Sequence, residues 1–74
     1  MSYLSWKPEF ARKLKSIRIQ RGWSEVMASA LTKINRKTLR RLEDPYDQTM
    51  PHIETLFKIA KAFGINPGEL FPNK

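Results

Sequence analysis

Between Lys33 and Glu43 the chain reads KINRKTLRRLE, with cations at Lys33, Arg36, Lys37, Arg40 and Arg41. On a helix these positions fall at i, i+3, i+4, i+7 and i+8, and at about 100° per residue they occupy an arc of roughly 140°. Lys33 stands just ahead of Asn35, the candidate N-cap, so it sits at the edge of that arc. Leu39 and Leu42 fall on the opposite side. Like charges at i, i+4 destabilise a helix, so a stripe without an acid until Glu43 points to a polyanionic partner. The competing reading is a solvated charged face. Arginine suits a polyanion because its planar fork donates two parallel hydrogen bonds to phosphate oxygens or to guanine O6 and N7. Lysine supplies a point charge, mostly for phosphates. A B-DNA major groove is about 12 Å wide and admits one such helix.

No other constellation carries chemistry. The chain has one histidine, His52, and no cysteine. Asp44, Asp47 and Glu54 would have to complete a metal site without a second imidazole or any thiolate. A Ser-His-Asp set can be assembled only on paper, because no spacing supports it. His52, beside Pro51, reads as a surface residue of a first helical turn. The expectation is a binding protein, neither enzyme nor metalloprotein, with no cofactor.

The charge has an address. The chain of 74 residues has 14 Lys plus Arg against 7 Asp plus Glu, a net charge of +7. The first 43 residues hold 11 of the cations and three of the acids, Glu9, Glu25 and Glu43, for a net of +8. The remaining residues carry −1. This asymmetry separates a basic binding side from a supporting side. So short a chain buries only about 60% of its unfolded surface, which predicts one domain, residues 1–74, with a thin core that is helical or stapled, and without cysteine no disulfide can staple it. No run approaches the roughly 18 apolar residues of a membrane span, and Met1 to Phe10 lacks a signal-peptide core. A soluble cytoplasmic chain, associated with the nucleoid, is expected.

Five helices must position the basic stripe. The first runs from about Pro8 to Arg21, with Phe10, Leu14 and Ile17 as its apolar stripe and Gly22 as its stop. Ser24 is a plausible N-cap for a short second helix holding Met27, Ala28, Ala30 and Leu31 and ending at Thr32-Lys33. Asn35 caps a third, Arg36 to Glu43, ended by Asp44-Pro45. After a polar loop from Pro45 to Met50, Pro51 opens a fourth with the stripe Ile53, Leu56, Phe57, Ala60 and Phe63, and Gly64 closes it. Asn66-Pro67-Gly68-Glu69 starts a short fifth helix with Leu70 and Phe71. Trp23 and Phe57 read as core. Trp6 and Tyr3 are placed to cap the core, stack on a partner or mediate self-association, and Tyr46 is a candidate protein contact. The two ends, residues 1–6 and 72–74, read as loose.

Taken in order, these residues resemble the helix-turn-helix of phage-repressor and Cro-type regulators, the XRE-like family. That family runs roughly as Leu-x-x-x-Arg, a gap, Gly-Leu-Ser-Gln, nine residues counted from the Gln itself, Val-Ser-x-x-x-Ile-x-x-x-Glu, then Pro and Leu-x-x-Ile-Ala-x-x-Leu-x-Val. Here stand Leu14 to Arg18, Gly22-Trp23-Ser24-Glu25, a span of nine residues counted from Glu25 itself to Lys33, then Ile34 to Glu43, Pro51, and Leu56 to Ile65. The resemblance covers residues 10–71. It implies an all-α, five-helix repressor-like domain whose second and third helices form the helix-turn-helix, the third entering the major groove of double-stranded DNA. It implies that Arg36, Lys37 and Arg41 face base edges, that Asn35 and Arg40 lie near bases or backbone, and that Ser24 approaches a phosphate. Arg18 and Glu43 match a structural ion pair linking the first and third helices.

The departures are specific. The family has Leu-Ala where Ala28-Ser29 stand, a Gly of positive φ where Lys33 stands, and a phosphate-touching Gln where Glu25 stands. A second register, with Met27-Ala28 as the Leu-Ala equivalent and a turn one residue longer, removes the first two. Both registers stay open at this level. The leading expectation is a sequence-specific regulator, repressor-like, bound to a palindromic operator as a homodimer with recognition helices about 34 Å apart. The alternative is an antitoxin that binds a toxin protein and autoregulates its operon. RNA binding is weaker, because the aromatics lie at core-facing positions rather than on a stacking surface. A membrane surface is weaker still, since Leu39 and Leu42 are too few to insert.

Overall fold

The structure, a computed structural model, describes residues 3–70, with side chains from Trp6 onward. Four α-helices and a 3₁₀ helix succeed one another: α1 Tyr3–Gln20, α2 Glu25–Thr32, α3 Arg36–Glu43, α4 Ile53–Phe63, and the 3₁₀ helix Pro67–Leu70. The class is all-α, but the fifth element is a single 3₁₀ turn rather than a short α-helix. The expectations for Tyr3, Phe71 and the extreme termini fall outside the described side chains and residues.

Local chemistry explains most of the boundaries. The Ser24 hydroxyl accepts the Met27 N–H at 3.1 Å, and the Asn35 side-chain oxygen accepts the Lys37 N–H at 2.8 Å. Each satisfies one of the free donors of a first turn. Gly22, at φ 73°, and Gly64, at φ 69°, close α1 and α4. At each, a glycine N–H reaches three residues back and the following N–H reaches five, to Ile19 and Arg18 in the first case and to Lys61 and Ala60 in the second. That pair of bonds needs a left-handed residue between them, and glycine adopts it without a Cβ clash.

The start of α1 differs from the sequence expectation. The helix begins before Pro8 rather than at it, and runs through the proline. Pro8 forfeits the bond its N–H would have made to the preceding turn. Side-chain contacts, one within α1 and others to the end of α3 and the loop after it, hold that turn instead. Trp6 stacks on Phe10 with ring centroids 4.9 Å apart, and Lys7 is buried, only 2% exposed. The Lys7 ammonium donates to the carbonyls of Arg41 (3.0 Å), Asp44 (2.9 Å) and Asp47 (2.7 Å). Burial pushes it below the usual lysine range, and the carboxylates of Asp47 and Asp44 push back.

The core gathers Phe10, Leu14, Ala28, Ile34, Leu39, Leu42, Leu56, Ile59, Ala60, Phe63 and Leu70. Leu39 and Leu42 are the dry side of α3. Trp23 packs against this core, stacked on Phe63 at 4.8 Å. Phe57 does not, nor does Ile53. They are 56% and 71% exposed, while Leu56, Ile59, Ala60 and Phe63 form the buried face of α4. The apolar stripe of α4 is wider than the thin core can cover.

The turn between α2 and α3 resolves the register. α2 ends at Thr32, and Lys33 takes the left-handed conformation at φ 61°, its N–H bonded to the Ser29 carbonyl. No extra residue enters the turn. Side chains hold it: Thr32 Oγ1 donates to the Ala28 carbonyl and accepts the Ile34 N–H, and Ser29 Oγ donates to the Ile34 carbonyl at 2.6 Å. These bonds offset the strain of a lysine where glycine is the favoured residue.

Two stability measurements follow. Lys33→Gly removes that strain and raises stability by about 0.5–1 kcal/mol, read as a higher thermal midpoint. Lys7→Met keeps the buried stem but strips the donor from three carbonyls. It costs about 2–3 kcal/mol in urea unfolding. A loss below about 0.5 kcal/mol would mean that water replaces the ammonium freely.

Candidate nucleic-acid interface

With Leu39 and Leu42 turned inward, α3 presents Arg36, Lys37, Arg40 and Arg41 to solvent. Lys33 is exposed too, but it stands in the left-handed turn rather than on the helix. Four cations thus share the outer side of an eight-residue helix, with Asn35 exposed at its N-terminal end and Ser24 exposed at the start of α2. Ser24 Oγ is an acceptor for Met27, so its O–H is the group left to donate outward. The Asn35 side-chain oxygen is engaged by Lys37, which leaves its NH₂ for a partner.

Two ion pairs brace this surface. Arg18 Nε lies 2.8 Å from Glu43 Oε2 and its NH2 nitrogen 3.1 Å from Oε1, a two-pronged contact between α1 and the last residue of α3. Both side chains are about nine-tenths buried, and Arg18 also donates to the Trp23 carbonyl at 2.8 Å. The hydrogen bond to Glu43 is the main cause raising the Arg18 pKa above its usual value. One partner without the other would leave a buried charge unmatched, a state that costs about 3–5 kcal/mol. Arg18 is therefore not available to an external anion.

The second pair is exposed. Arg40 Nε donates to Glu25 Oε1 at 2.8 Å, with side-chain exposures of 60% and 40%. Arg40 holds the Glu25 carboxyl below the usual carboxylate range chiefly through this hydrogen bond, with Arg18 and Arg36 adding to it. Glu25 therefore faces an arginine of α3.

Neither Lys7 nor the Glu25–Arg40 contact is marked by local spacing, because each joins residues far apart in sequence. One signal for Lys7 was available. It lies three residues before Phe10 and seven before Leu14, on the buried stripe, once the helix is allowed to run through Pro8. His52 is exposed at the N-cap of α4 and makes no side-chain cap bond. Among the described residues, no group of three or more His, Cys, Asp or Glu side chains gathers to hold a metal ion. No helix among them is long and apolar enough to cross a membrane.

A family model described as helix-turn-helix matches residues 14–70, most of the chain. Among solved structures, the restriction-modification controller protein C.AhdI from Aeromonas hydrophila is similar, with a TM-score of 0.78 and 27% identity. The match covers 85% of this chain and 92% of that one. No curated protein matches the chain in sequence. The spacing of caps, turn and basic helix, the fold they build and the family match agree: the chain belongs to the helix-turn-helix family of XRE-type DNA-binding transcriptional regulators.

Proposed function

We propose that the chain is a sequence-specific, repressor-like regulator that reads a palindromic operator as a homodimer through the major groove. The observation that carries this is α3: four exposed cations on one side and two buried leucines on the other, braced at its C-terminal end by buried charges of α1. Arg36, Lys37 and Arg41 are assigned to base edges, where an arginine fork matches guanine O6 and N7. Asn35 and Arg40 are assigned to bases or adjoining backbone. Ser24 and the free N–H groups opening α2 are assigned to a phosphate. Likeness to a protein that controls a restriction-modification system supports gene regulation as the role, in addition to the shared architecture.

The homodimer reading rests on α4. Ile53 and Phe57 stand four residues apart on one helix face and are both largely exposed. Residues 44–74, which carry them, have a net charge of −1, against +8 for residues 1–43. Helix α4 itself carries Lys58 and Lys61 against Glu54, a net of +1, so two copies meeting through it face less repulsion than copies meeting through the basic side of α3. A two-fold arrangement needs only one such self-complementary patch.

Two experiments test these assignments. Arg36→Ala and Arg40→Ala should each weaken operator affinity by about 1–3 kcal/mol, measured by fluorescence anisotropy at fixed salt. Unchanged affinity in both would remove α3 from the interface. Phe57→Lys should shift the free protein toward monomer in analytical ultracentrifugation and abolish two-to-one binding to a palindromic duplex at concentrations that saturate the native chain. An unchanged dimer would place the two-fold contact elsewhere.

A further inference from the structure

One carboxylate stands within the cationic surface. Glu25 opens α2, yet its side chain crosses to α3 and accepts from Arg40 Nε at 2.8 Å. The contact is exposed, and exposed pairs of this kind contribute little to stability. The fold has another brace between its helices, in the buried Arg18–Glu43 pair. The Glu25–Arg40 contact is therefore better explained by what it does to Arg40 than by what it does for folding.

It does two things. First, the bond is made by Nε, which leaves the two terminal nitrogens of a side chain 60% exposed as a donor fork. A surface arginine without such a hold loses rotamer freedom when it binds, which weakens whatever contact it makes. Second, the carboxylate cancels part of the arginine's charge. Binding to DNA of any sequence is driven by cations neutralising phosphates and releasing counterions. An arginine already matched by a carboxylate adds less to that indiscriminate attraction. A glutamine at the same place would retain a hydrogen-bond acceptor and lose the charge.

We infer that Glu25 is a specificity-determining residue that acts through Arg40, holding its guanidinium in one pose for the preferred sequence while reducing the affinity for all others. The inference rests on α3 being the face that meets duplex DNA.

The test compares the native chain, Glu25→Gln, Arg40→Ala and the double variant. Each binds two duplexes of equal length, one selected from a random pool by the native chain and one scrambled, across a salt series. With Glu25→Gln, affinity for the scrambled duplex should rise about fivefold, and its salt dependence should steepen by up to about 0.9 in log–log slope, the signature of one more phosphate neutralised. The ratio of selected to scrambled affinity should fall, with the thermal midpoint unchanged. In the Arg40→Ala background the same change at Glu25 should leave that ratio within about twofold, because the two effects are coupled through one contact. A ratio indifferent to Glu25→Gln would overturn the inference. So would an equal change with and without Arg40, which would make Glu25 a simple repeller of phosphate. A native chain that does not distinguish the two duplexes would instead defeat the reading of α3 as a sequence reader.

Discussion

The ammonium of Lys7 sits beneath the C-terminal end of α3, with three backbone carbonyls as partners. An eight-residue helix is marginal in water on its own, and four cations on one side make this one less favourable still. Its persistence therefore depends on what the rest of the chain supplies. The last turn of a helix carries unpaired carbonyls and a partial negative charge, and a cation placed there satisfies both. Lysine has three donors on one nitrogen, which matches three converging carbonyls. Arg18 completes the arrangement through Glu43. Two cations of α1 thus hold α3 from behind, and the cations of α3 face outward.

This division changes the meaning of the net charge of +7. Lys7 and Arg18 are interior charges with partners of their own. Arg40 is partly matched by Glu25. Arg36, Lys37 and Arg41 are the remaining exposed cations of α3. The charge proposed to meet DNA is smaller than the total and far more concentrated. Concentration of this kind favours discrimination, because contacts fixed in place can be lost one by one when a base changes, whereas diffuse charge attracts every sequence alike.

Much of the frame was legible because it is local. Ser24, Asn35, Gly22 and Gly64 act within a few residues of themselves, and the Leu39–Leu42 spacing marks the dry side of α3. Resemblance to a family, rather than spacing, pointed to Arg18 and Glu43, which lie on different helices. What stayed hidden is non-local. Pro8 masks the first turns of α1, and with them the position of Lys7 on the buried stripe. In α4, period alone cannot say which part of a wide apolar stripe a small core reaches, so Phe57 reads as core, and Ile53 as part of the same stripe, although both face solvent. The choice between two registers for α2 rested on whether Lys33 would accept a left-handed backbone. Side-chain bonds from Ser29 and Thr32 make that possible, and they exist only once the turn has formed.

The outer side of α3 is proposed to meet DNA while α1 holds the helix from behind. Titration of the isotope-labelled chain with a duplex selected from a random pool, followed by amide chemical shifts, tests it directly. The largest changes are expected at Ser24–Glu25 and Asn35–Arg41, with the interior residues Phe10 and Leu14 of α1 little affected. Changes centred on Lys58 and Lys61 of α4, with Asn35–Arg41 undisturbed, would contradict it.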